Sequence, residues 1–273
     1  MAAHRATATF LLLAVLLAAG CQPSAPPSGP TGPTKTPGAK GSGSKTGSKS
    51  TTPTPKPTST PDTPVASEFK FNPAGQLHAN SGQGDADPTI YAPGMRFPIE
   101  KPRAFANSQV WGHGGLHGPG GECDAENYGY PWSDNFCETR DFTAPLCPAG
   151  TGHQGQDIRP NSCARDKYIA VAAEAGTITH IGTFTVYLNA DSGRVFRYLH
   201  LDMHNLKVGL GDKVARGQAI GYVANDFGTT QTTIHLHFEI RETVTDGTAT
   251  ITTFVPPYTS LVDAYQRMLA GEK

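Results

Sequence analysis

The stretch Ile234-His235-Leu236-His237-Phe238-Glu239-Ile240 alternates apolar and polar residues without a break. Successive side chains of a β-strand point to opposite faces, so His235, His237 and Glu239 share one face and Leu236, Phe238 and Ile240 the other. If the apolar face is buried, the strand holds two imidazoles rigidly at fixed spacing, which suits a metal site. The competing reading is a half-exposed strand carrying two surface histidines, and this stretch by itself leaves both open.

The surroundings extend the pattern. Tyr168-Ile169-Ala170-Val171 and residues 176–182 read as strands. Phe184, Val186 and Leu188 alternate with polar or small neighbours, Asp191-Ser192-Gly193 supplies a turn, and Val195 to Leu201 returns, which predicts a hairpin. Glycines between 209 and 221 punctuate further short strands, and residues 234–241 form the last one. Ser260 is then placed to cap a helix with Leu261, Val262, Ala264, Tyr265, Met268 and Leu269 on its apolar face, stopped by Gly271. The sum is a mainly β fold: an antiparallel β-sheet domain with a short C-terminal helix.

Two more motifs bear on chemistry. In Gly152-His153-Gln154-Gly155-Gln156-Asp157, a His and an Asp stand four apart. The glycines and the nearby Pro160 argue against a helix, so the pair must converge through loop or strand geometry. In Arg197-Tyr198-Leu199-His200-Leu201, His200 closes a hairpin strand on the face opposite Leu199 and Leu201. Each motif alone reads equally as a polar loop or a structural histidine. Two imidazoles and one carboxylate together make a three-ligand zinc site with an open fourth position, the arrangement of catalytic rather than structural zinc. No H-E-x-x-H is present, so no helix-borne glutamate base is available. His200 and His235 are left as candidates for acid–base work.

The ordered set H-x-x-x-D, Y-L-H-L-D, V-G-L-G-D-K-V-A-R-G-Q-A-I-G and H-L-H-F-E-I resembles the lysostaphin-like zinc endopeptidases, across residues 107–241. The resemblance implies one zinc ion held by His153, Asp157 and His237. It implies His200 and His235 as catalytic histidines and peptide cross-bridges or stem peptides of peptidoglycan as substrate. Ser108-Gln109-Val110-Trp111-Gly112 resembles the family's short strand ahead of the site.

An insertion at residues 113–152 departs from the family pattern. It holds Cys123, Cys137 and Cys147, with Cys163 following. Four cysteines in an exported chain read as two disulfides in one of three pairings. A four-cysteine zinc site competes, but no C-x-x-C spacing supports it. The insertion leads directly into His153, so it should border the cleft. Tyr128, Tyr130, Trp132 and Arg140 are candidates for a substrate groove, with a small satellite core as the other reading of its aromatics.

The beginning of the chain reads as an address. Residues 1–21 resemble a signal peptide ending in a lipobox, with Cys21 as the lipidated residue, although Ala18 stands where Leu is usual. That implies an exported, membrane-anchored lipoprotein facing the periplasm or cell surface. Residues 22–67 are Pro, Thr, Ser, Gly and Lys with almost no apolar residue and should be a disordered linker. Residues 68–104 read as a transition with little independent structure, residues 105–258 as the peptidase domain, and residues 259–273 as the helix. The formal net charge of -1 removes the usual electrostatic argument for nucleic-acid binding, which needs a strong cationic face. Two rivals to a wall endopeptidase are an inactive relative that binds wall or activates another hydrolase, and a zinc peptidase acting on proteins. The presence of all three ligands and both extra histidines argues against the inactive relative.

Overall fold

The computed structural model describes residues 66–245 and 249–273. The signal segment, Cys21 and the linker through residue 65 lie outside the described residues. The strands are β1 (Ala104–Ala106), β2 (Gln156–Pro160), β3 (Ile169–Val171), β4 (Gly176–Ile181), β5 (Thr185–Ala190), β6 (Val195–Leu199), β7 (Lys213–Val214), β8 (Ala219–Tyr222), β9 (Asp226–Phe227), β10 (Thr230–Gln231), β11 (Leu236–Thr245) and β12 (Thr250–Val255). An eight-stranded sheet runs β1-β2-β11-β6-β5-β4-β7, with β12 also pairing β11. Every pairing is antiparallel. The helix α1 (Tyr258–Leu269) follows. The fold class read from the sequence is the one observed.

The strand that carries the H-x-H motif is central. Leu236, Phe238 and Ile240 are fully buried on its apolar face. Phe238 stacks on Phe196 of β6 and meets Tyr198 edge-on. The predicted hairpin is β5–β6, in register Val186↔Tyr198 and Leu188↔Phe196. Residues 234–241 are not the last strand, however. Thr250–Val255 returns as β12 against β11, a threonine-rich run that also carries Ile251, Phe254 and Val255.

Ser260 does not cap the helix. Pro257 occupies the N-cap position, and Ser260 is buried, with its hydroxyl accepting from the Ala92 N–H. The predicted apolar face is otherwise the one that packs inward. Residues 68–104 have little regular structure, yet Met95, Phe97 and Ile99 are fully buried in the common core and Phe69 packs against it. The core therefore starts well before Phe105. The short strand expected at residues 108–112 sits instead at Ala104–Ala106.

The cysteines pair as Cys123–Cys163 and Cys137–Cys147. Of the candidate groove residues, Trp132 is fully buried between Phe69, Phe97 and Tyr265, with its indole N–H donating to the Ala104 carbonyl. Tyr130 packs on Phe69 and Phe105 and shares a hydrogen bond with the Tyr265 hydroxyl. Tyr128 lies edge-on to Phe105 beneath the Arg159 guanidinium. Trp132 belongs to the core and Tyr130 packs against it, while Tyr128 is half-buried on Phe105, because aromatic rings in a long insertion gain more by burial than by facing water.

Candidate metal centre and cleft

In the antiparallel register of β2 and β11, Asp157 stands directly opposite His237. On the far side of β11, His237 faces Leu199 and Glu239 faces Arg197 on β6. His153 lies four residues before Asp157, and the spacing closes because Gly155 sits between them. A Cβ at Gly155 would come within 2.8 Å of His237 Nε2 and of Glu239 Cγ. Only glycine lets the chain pass under the β11 side chains here.

His153 Nε2 and His237 Nδ1 stand 3.3 Å and 2.9 Å from Asp157 Oδ1. Ligand atoms around a tetrahedral zinc ion at its usual bond lengths are separated by roughly 3.3 Å. One atom from each of His153, Asp157 and His237 lies within 4.8 Å of the others, and all three residues are buried. The remaining polar atoms of the three are engaged elsewhere. His153 Nδ1 donates to the Asn135 carbonyl at 2.9 Å, Asp157 Oδ2 accepts from Asn135 Nδ2 at 2.7 Å, and His237 Nε2 lies 2.8 Å from Glu239 Oε1. A second hydrogen bond that fixes tautomer and ring orientation is what metal-binding histidines ordinarily have. The residues present fit a zinc ion.

The electrostatics of the metal-free site follow from this crowding. Burial raises the Asp157 carboxyl, but the surrounding His153 and His235 hold it well below the usual carboxylate range. Burial disfavours a charged His237, yet hydrogen bonds to Asp157 and Glu239 overcome this and push it up to about 9. Burial, then the neighbouring His235 and His237, depress His200 well below the ordinary histidine value. His200 is therefore neutral at neutral pH. Its Nδ1 donates to the Asp226 carbonyl at 2.9 Å, which leaves Nε2 as the basic nitrogen. His235 Nδ1 likewise donates to the Thr233 carbonyl at 2.7 Å.

His200 departs from the strand alternation expected of it. Its φ of 67° is left-handed, an uncommon and strained conformation for a non-glycine residue. The kink turns its ring onto the same cleft that Leu199 lines, while Leu201 is buried in the core. The ring is flanked there by Phe184 and Phe227.

The site opens on a cleft of about 1050 Å³. The insertion forms one wall, with Leu116, Glu122, Arg140 and Phe142 among its lining residues. Of the sequence candidates for a groove, Arg140 alone lines this cleft. The Cys123–Cys163 bridge ties the insertion to the segment after β2, and Glu122 accepts from the Ile234 N–H at 3.0 Å. Reading the sequence missed Asn135, which carried no recognisable spacing. It placed Glu239 on the right face but gave it no role.

Comparison with known proteins fits this geometry. Residues 151–250 match the model of peptidase family M23. Among solved structures, a candidate glycyl-glycine endopeptidase from Ruminococcus gnavus is 23% identical, with 64% of this chain and 62% of that one covered and a TM-score of 0.40. This chain thus spans less than two thirds of that relative. The catalytic domain of lysostaphin from Staphylococcus simulans is 23% identical over 50% of this chain and 94% of that one, with a TM-score of 0.35. A zinc-containing peptidase from Vibrio cholerae is 26% identical over 33% of this chain and 26% of that one, with a TM-score of 0.27. A comparison with curated proteins gave no match. The stretch that matches the peptidase family M23 model, residues 151–250, holds all three candidate ligands and both further histidines.

Proposed function

We propose that this chain is a zinc-dependent endopeptidase that hydrolyses cross-link or stem peptides of bacterial peptidoglycan. The observation that carries the reading is the convergence of His153 Nε2, Asp157 Oδ1 and His237 Nδ1, each ligand held from behind through its other polar atom. The peptidoglycan substrate rests on the M23 match and on the resemblance of the motifs to lysostaphin-like enzymes.

A zinc ion bound there supplies Lewis-acid polarisation of the scissile carbonyl and makes water a competent nucleophile near neutral pH. His200, neutral and with Nε2 free, takes the proton from the attacking water. His235 lines the same cleft, where its imidazole faces the oxygen on which charge develops. Phe184 and Phe227 keep bulk water from the His200 ring.

Two disulfides support an exported protein, since such bridges persist in oxidising compartments. Lipidation at Cys21 would hold the enzyme at a membrane. The test is incubation of purified wall sacculi with zinc-loaded wild type and His237→Ala, with released peptides identified by mass spectrometry. Peptides released by wild type alone are the expected result. A zinc-loaded wild type that releases nothing from several wall types removes the peptidoglycan reading.

A further inference from the structure

The insertion does more than wall the cleft. Its segment 133–138 lies against Ala106 of β1 and His153. The Ser133 N–H donates to Ala106, the Cys137 N–H to His153, and the His153 N–H back to Glu138. Trp132 on one side is locked in the main core. Phe136 and Cys137 on the other form a small core with Ala144 and Cys147, closed by the Cys137–Cys147 bridge. Between these anchors, Asn135 is fully buried and turned to the metal centre.

Every polar group of Asn135 is spent on that centre or on its strand. Its carbonyl accepts from His153 Nδ1 at 2.9 Å, and its Nδ2 donates to Asp157 Oδ2 at 2.7 Å. Its Oδ1 accepts from the Asp157 N–H at 3.1 Å, and its own N–H donates to Gln156 Oε1 at 3.2 Å. We infer that Asn135, delivered by the disulfide-bearing insertion, is a positioning residue whose side chain fixes the metal ligand Asp157, beside a main-chain carbonyl that orients His153. Its carbonyl sets the His153 tautomer, so that Nε2 carries the lone pair, and its amide holds Asp157 with Oδ1 toward the metal. The side chain must offer both a donor and an acceptor at this reach. Aspartate would set a second carboxylate against Asp157, and alanine would offer neither group. The inference rests on the zinc reading above and assigns the insertion a part in it.

The test uses the full chain. Zinc affinity is measured by competition with a chromophoric chelator, the ligand field by the visible spectrum of the Co²⁺-loaded protein, and folding by the thermal midpoint of the metal-free form. Asn135→Ala should bind zinc about 10- to 100-fold more weakly than wild type and shift the cobalt spectrum. Phe136→Leu perturbs the neighbouring small core and should lower the midpoint while leaving the spectrum in place. If Asn135→Ala does not fold, Asn135→Asp keeps the size and the acceptor while replacing only the donor, and the same weakening is expected. Zinc affinity within twofold of wild type, with an unchanged cobalt spectrum, overturns the inference for whichever Asn135 variant is folded. So does a Phe136→Leu protein whose affinity and spectrum change as much as those of the Asn135 variant, because the effect is then merely structural. A folded wild type that binds neither metal fails at an earlier point: it removes the zinc reading, and the inference with it.

Discussion

Glu239→Gln is an isosteric change at a buried position, and its effect on zinc binding has two parts of opposite sign. Without metal, the hydrogen bonds to Asp157 and Glu239 keep His237 protonated up to about pH 9 despite its burial. Zinc binding at pH 7 must first displace that proton, at a cost on the order of a few kcal/mol. Two carboxylates share the stabilisation of this proton, so losing one returns part of that cost at pH 7. Against this, the substitution replaces the carboxylate that orients His237 through Nε2, a loss worth roughly 10- to 100-fold in metal affinity, or about 1.4 to 2.7 kcal/mol. The two oppose each other at pH 7, where Glu239→Gln should weaken zinc binding less than it does at high pH. At pH 9.5 His237 is already neutral in the wild type, and the full 10- to 100-fold loss should emerge. Arg197, whose guanidinium lies 2.7 Å from Glu239 Oε2, also rests over the Tyr187 and Phe254 rings, which keeps it in place in the variant. The assay is chelator competition on both proteins between pH 6.5 and 9.5. A loss that is equal at the two ends, or larger at pH 7, refutes the reasoning.

His200→Ala and His235→Ala should each retain bound zinc while kcat falls about 10²- to 10⁴-fold, read in peptide-release kinetics beside metal analysis; loss of zinc in step with activity would make them ligands instead. Trp132→Ala should cost about 3 to 5 kcal/mol in denaturant unfolding, since it empties a fully buried site. A loss below about 1 kcal/mol with altered cleavage preference would return Trp132 to the substrate groove. The pH dependence of the metal-free form follows from His237. Its folded value is raised above the ordinary 6.5, so its contribution is complete below 6.5 and is lost as pH rises through about 9. Thermal midpoints of the metal-free protein should fall from pH 7 to 9.5 relative to the zinc-loaded protein, and parallel curves would contradict this.

Where local pattern decides, the sequence was legible. Period-two alternation in residues 234–240 placed Leu236, Phe238 and Ile240 in the core and His237 on the site, because one strand face had to be buried. The β5–β6 hairpin followed from its turn residues. Long-range packing was not legible. Trp132 and Tyr130 sit in an insertion with no periodicity, and the partners that bury them, Phe69, Phe97 and Tyr265, come from distant parts of the chain. Asn135 gives no sign of itself either, since its role depends on a segment 18 and 22 residues before the ligands it touches folding back onto them. His200 was placed on the wrong face relative to Leu199 because alternation assumes extended backbone, and its left-handed φ breaks that assumption. Ser260 has the chemistry of a helix cap, but its hydroxyl is drawn to the Ala92 N–H inside the core.

The most direct test of the central claim is the zinc content of the purified, folded chain after exhaustive dialysis, measured by mass spectrometry for wild type and His237→Ala. The account predicts about one ion per wild-type chain and substantially less in the variant. A folded wild type that holds no zinc, or a His237→Ala protein that holds it as tightly as wild type, would contradict it.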